Sequence, residues 1–172
     1  MSDTGNRELT LLVLTATALG VIDSLVPRPL PFMKIGLSNV AAVIAVTRYG
    51  LLKTLELNLL RAFAVALITG LLMTPSFLLS VSGAASSAIV MGVLRRIWPR
   101  LLSTVGLSIA GAVLSLWTQL LAASVILGGL PLQNVVLLLT LWGIVSGSLI
   151  GVLAQKALEK APESRVLRKA EG

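Results

Sequence analysis

Residues 132–157 read LQNVVLLLTLWGIVSGSLIGVLAQKA, with Lys156 as the single charge. A helix of roughly 20 apolar residues crosses the ~30 Å hydrocarbon layer of a bilayer, so this run predicts a transmembrane helix. Gly143, Gly147 and Gly151 recur along it every four residues, with Ser146 and Ala154 on the same face. Lipid gives helices no hydrophobic reason to associate, and small side chains that let backbones approach take over that task. The stripe therefore predicts close packing, either inside a helical bundle or onto a separate membrane subunit.

Working outward, Gly128-Gly129-Leu130-Pro131 makes a turn before this run. Five further apolar runs precede it, at about 9–26, 37–49, 54–73, 79–97 and 102–127. Pro75 is read as ending the third and Trp98-Pro99 the fourth. A cleaved signal peptide competes for the first run, but one Arg (Arg7) precedes it and no small-x-small site follows before Pro27, Pro29 and Pro31. The whole chain agrees: 56% of its 172 residues are hydrophobic, 12% are charged and the mean hydropathy is +0.96. The expected fold is an all-α integral membrane bundle of six transmembrane helices. Residues 1–8 form a short N-terminus, 9–157 the membrane domain and 158–172 a basic tail.

Small residues align on other helices as well: Ala84, Ala88 and Gly92 on the fourth, Ser108, Gly111, Ala112, Ser115 and Gln119 on the fifth, Ala16 and Gly20 on the first. Of the fourteen Lys and Arg residues, eleven fall on one side of the six predicted spans, from Arg7 through Arg48, Lys53, Arg95, Arg96 and Arg100 to the tail; Arg28 and Lys34 lie opposite and Arg61 within a span. Positive residues favour the cytoplasmic side, which places both termini in the cytoplasm and the protein in the inner (plasma) membrane. The net charge of +7 then reads as anchoring against anionic lipid rather than as a nucleic-acid surface.

The missing residues exclude several functions. With no Cys and no His, the chain cannot build a thiolate or imidazole metal site, a Cys nucleophile or a Ser-His-Asp triad. None of its seven acidic residues lies near another within a predicted span as an acid/base pair requires. No Gly-rich phosphate loop ending in Lys-Ser/Thr occurs, so ATP hydrolysis would belong to partner subunits. Neither catalysis nor a metal or cofactor is expected.

Polar groups inside the membrane point instead to binding. An Arg at a helix centre costs about 2.5 to 3.5 kcal/mol even on the lenient insertion scale. Asn58, Arg61, Ala62 and Thr69 share one side of the third predicted helix, while Glu56 faces away and pairs with Lys53. Snorkelling toward the headgroups is the competing role for Arg61. A second group gathers toward the other side: Asp23 and Ser24, then Arg28, Lys34, Ser38 and Asn39, joined by a proline-stiffened linker. With Ser86 on the fourth helix and Gln119 on the fifth, these residues are expected to line an outward-facing pocket.

Pro31-Phe32-Met33-Lys34-Ile35-Gly36-Leu37-Ser38-Asn39, followed by an apolar helix and Leu57-Asn58-Leu59-Leu60-Arg61, resembles the Gx transporter family, also labelled heptaprenyl diphosphate synthase component I. The resemblance spans roughly residues 9–157 and is most specific across 31–61. That family is similar to the substrate-binding S components of energy-coupling factor transporters, six-helix proteins that capture vitamins or related small molecules. The resemblance implies a capping first loop and a first helix that docks on a transmembrane coupling subunit driven by cytoplasmic ATPases. It makes Ala16 and Gly20 the docking positions, with Gly20 standing where the docking pattern has its second Ala.

The expected function is capture of a small vitamin-like or cofactor-precursor molecule from outside. Two other readings stay open. The synthase label suggests a noncatalytic membrane subunit in polyprenyl diphosphate synthesis; Mg²⁺-diphosphate chemistry needs clustered aspartates, and the chain has only Asp3 and Asp23. An assembly factor for a respiratory membrane complex would use the small-residue faces and make no demand on Arg61.

Overall fold

The computed structural model of the chain describes residues 3–25, 35–99, 101–126, 128–129 and 133–160. These form five helices: α1 (Asp3–Leu25), α2 (Asn39–Ile68), α3 (Pro75–Ile97), α4 (Thr104–Ile126) and α5 (Gln133–Lys160). Among the described residues there is no strand. Within α1 the stretch Arg7–Leu25, together with α3, α4 and most of α5 (Val135–Lys160), is long and apolar enough to cross a bilayer, as expected for a multi-pass membrane protein.

The expectation of six separate helices is corrected at α2, which takes in both the second and the third expected spans. Its only non-helical residue is Gly50, at φ 78° and ψ −170°, a backbone region essentially restricted to glycine. A straight helix would hold Asn39 and Arg61 about 33 Å apart at 1.5 Å per residue, yet their side chains are hydrogen-bonded. The element therefore doubles back at Gly50 into two legs, 39–49 and 51–68. A loop was expected through Lys53, but Thr54 Oγ1 already bonds the Gly50 carbonyl at 2.8 Å, inside the second leg.

The first leg is about 16 Å long by the same rise, too short for the ~30 Å hydrocarbon layer, and it sits inside the bundle. Ala41, Ala42, Val43, Ala45 and Val46 are all buried, in one core with Leu9 and Ala16 of α1, Leu57, Met91 of α3, Leu107 of α4, and Ile150 and Ala154 of α5. Alanines and valines allow this enclosure, because they take little volume from the surrounding helices. The second leg turns Asn58, Arg61, Ala62 and Ala66 inward and leaves Leu59, Leu60, Phe63 and Leu67 exposed, an arrangement suited to lipid outside and polar contacts within.

A second correction concerns Pro75. It lies in the first turn of α3 rather than closing the preceding span, where its fixed φ and missing N–H fit the helix start. α2 ends earlier than expected, at Ile68, and a turn closed by the Leu71 N–H on the Ala66 carbonyl at 2.8 Å leads to α3.

The glycine stripe of α5 packs against this chain's own α4. A Cβ at Gly147 would stand 2.7 Å from Ile109 Cα, one at Gly151 2.6 Å from Val105 Cα, and one at Gly143 3.1 Å from Val113 Cα. On α3, a Cβ at Gly92 would meet Leu51 Cα at 3.0 Å. These glycines serve the bundle's own packing.

The contacts also order the two ends. Glu8 at the start of α1 accepts the Tyr49 hydroxyl hydrogen bond and pairs with Arg48 at 3.5 Å. Gly92 meets Leu51, and Gly151 meets Val105. The start of α1, the turn of α2, the end of α3, the start of α4 and the end of α5 thus share one end of the bundle. Arg7, Arg48, Lys53, Arg95, Arg96, Lys156 and Lys160 gather there.

Candidate functional site

Arg61 is 8% exposed, and the fold supplies it with two acceptors from the start of the first leg. Its Nη1 donates to Ser38 Oγ and, at 2.9 Å, to Asn39 Oδ1. Ser38 holds the N-cap position of α2 but makes no side-chain cap bond, since its hydroxyl oxygen is turned to the guanidinium. Both acceptors are neutral. The Asp23 carboxylate near the end of α1 attracts the guanidinium at longer range and takes a hydrogen bond from the Gly36 N–H at 3.1 Å. Two of the five N–H groups of the planar fork are thereby placed; among the described residues the others have no acceptor.

Arg61 lines a cavity of about 200 Å³. At the end opposite the basic one, the cavity is bordered by Asp23, Ser24, Gly36, Thr69, Ser76 and Phe77. It runs inward between the second leg of α2, α3, α4 and α5 as far as Ser108 and Ile150. Its inner wall mixes small apolar side chains with buried Ser108, Ser115, Gln119 and Ser146. Gln119 Nε2 donates to Ser115 Oγ at 3.0 Å. A Cβ at Gly83 would stand 2.5 Å from that Nε2 and 2.7 Å from that Oγ, so the glycine makes room for the pair. Such a wall offers donors and acceptors to a small polar molecule. Among the described residues no three carboxylates gather as a metal ion would need.

Of the residues expected from sequence, the structure brings Asp23, Ser24, Ser38, Asn39, Arg61 and Gln119 to this cavity. Arg28 and Lys34 lie outside the described residues. Asn58 is fully buried but not at the cavity; it donates to the Ala84 carbonyl at 2.9 Å and ties α2 to α3. Ser86 also stands outside the cavity, donating to the Gly83 carbonyl in its own helix at 3.1 Å. The two expected docking positions are occupied by the chain's own packing. Ala16 is 0% exposed in the core, and Gly20 borders the cavity, where a Cβ would come within 2.7 Å of Val65 Cγ2. Ser108, Ser115 and Ser146 had the sequence signature of helix packing; the spacing of Ser108 and Ser115 with Gln119 along α4 was the available sign of a polar wall.

A family model described as heptaprenyl diphosphate synthase component I matches residues 12–157, a span that contains every cavity residue named above. No curated protein and no solved structure matches the chain.

Proposed function

The chain belongs to the heptaprenyl diphosphate synthase component I family, and from that premise we propose that it is the substrate-binding subunit of an energy-coupling-factor type uptake transporter. In this reading it captures a small vitamin-like or cofactor-precursor molecule from outside. The basic end faces the cytoplasm with both termini, the membrane is the inner (plasma) membrane, and the cavity opens outward. The supporting observation is the polar cavity built around Arg61, whose guanidinium is held by Ser38 and Asn39 with donors to spare. Positive residues at one end of the bundle support the orientation. Transport energy would come from a transmembrane coupling subunit and cytoplasmic ATPases.

The test is purification of the tagged full chain in mild detergent. Copurification of a coupling subunit with ATPases, and a small molecule retained and seen by mass spectrometry, is the expected result. The family's description favours a second reading, a noncatalytic partner in polyprenyl diphosphate synthesis. Recovery of a soluble prenyl diphosphate synthase with no retained small molecule would establish that reading instead.

A further inference from the structure

Resting on the binding role just proposed, we infer that the ligand is a compact monocarboxylate with an uncharged, hydrogen-bonding body, and that Arg61 with the start of α2 is its carboxylate subsite. Two independent features favour an anion at the same place. One is the guanidinium, nine-tenths buried, with Nη1 fixed by Ser38 and Asn39 and its remaining N–H groups without an acceptor among the described residues. A planar fork held in this way is preorganised for a carboxylate. The other is the N-terminus of α2, which borders the same cavity through Ser38 and Asn39. A helix N-terminus carries a partial positive charge; the Asn39 and Val40 N–H groups already donate to the Gly36 and Leu37 carbonyls, so this end contributes its field rather than direct hydrogen bonds.

The remaining lining narrows the class. Asp23 borders the cavity too, and its charge opposes a second negative charge on the ligand, as in a phosphate or diphosphate dianion. Farther in, Gln119 retains a carbonyl and a second N–H after its bond to Ser115, and Ser108 and Ser146 line the same wall. A prenyl chain there would take water from these groups and return no hydrogen bond, a costly exchange. An uncharged body with hydroxyl or amide groups satisfies them.

The experiment uses the full chain in detergent. Thermal stabilisation and affinity are measured for acids paired with neutral counterparts, nicotinate with nicotinamide and pantothenate with panthenol, beside inorganic phosphate and geranyl diphosphate. The molecule retained from cells is identified in parallel. The expected result is a retained molecule bearing one carboxylate, and an acid bound at least tenfold tighter than its neutral counterpart. Arg61→Gln should abolish that preference, while Gln119→Leu should weaken both members of a pair alike. Should Arg61→Gln not fold, the wild-type ratios and Gln119→Leu still decide. The inference is overturned if the retained molecule lacks a carboxylate, if phosphate or geranyl diphosphate outcompetes every acid, or if the acid preference survives Arg61→Gln. A ligand without a carboxylate leaves the uptake reading standing; no retained molecule and no binding removes both.

Discussion

Arg61 donates to Asn39 Oδ1 at 2.9 Å although 22 residues separate them within one helical element. The contact closes the two legs of α2 on each other and, through Ser38, places the guanidinium at the cavity. A snorkelling Arg would need only length and charge. This one uses two directed N–H bonds from a single nitrogen.

Arg61→Lys therefore should not behave as a conservative change. Lys keeps the charge but not the fork, so ligand affinity is expected to fall about tenfold, ~1.4 kcal/mol. Arg61→Gln should lose at least as much. Calorimetric or fluorescence titration with the retained molecule checks this, and a Lys variant within about twofold of the parent would take Arg61 out of the site.

Gly50→Ala isolates the cost of the fold-back. A Cβ there meets nothing within 4 Å, so the penalty is that of the backbone at φ 78° and ψ −170° alone, about 1–3 kcal/mol. A lowered midpoint of thermal unfolding in detergent is expected. An unchanged midpoint would mean that the two legs meet through some other geometry.

Gly147→Ala should separate α4 from α5, since its Cβ would press on Ile109 Cα, a backbone atom unable to rotate away. The expected loss is about 1–3 kcal/mol. Gly106→Ala is the control: its nearest neighbours are side-chain atoms at 3.5 and 3.6 Å, so the same unfolding assay should register little change.

The orientation is testable by single cysteines in this cysteine-free chain. Met73→Cys lies in the turn between α2 and α3, where the native side chain is 95% exposed; it should react with an impermeant maleimide in intact cells. Arg96→Cys and Lys160→Cys, at the basic end, should react only after the cells are opened. Labelling of position 96 from outside would invert the proposed topology and close the cavity to an external substrate.

Much of the fold was legible because lipid imposes a simple demand: long apolar helices. The spans of α1, α3, α4 and α5 follow from that demand alone. The fold-back in α2 was harder to read, because a glycine between apolar residues looks like a packing residue until its φ is known. Pro75 misled for a related reason: proline both stops and starts helices, and sequence does not say which side of it is ordered. Ala16 and Gly20 show a further limit. A small residue announces that something packs close without saying what, and at Gly20 the close neighbour is the Val65 side chain of this chain's own second leg. Arg61 was legible because a charge within an apolar run demands an interior partner. Its acceptors, Ser38 and Asn39, were placed near the expected pocket by sequence, but only the turn at Gly50 brings them to it.

The enclosed first leg of α2 also bears on how the polypeptide is made. At about 16 Å it is no free-standing span, and the charged α2 is not among the helices apolar enough to enter lipid unaided. During synthesis it must wait for α3, α4 and α5, whose Met91, Leu107 and Ile150 complete its surroundings. In nascent chains ending at Ile68, which α1 already holds in the membrane, residues 39–49 should therefore remain open to proteases, and protection should arise only once the later helices have been translated. Enclosure of this leg is thus a late, collective event that follows the insertion of the spans around it.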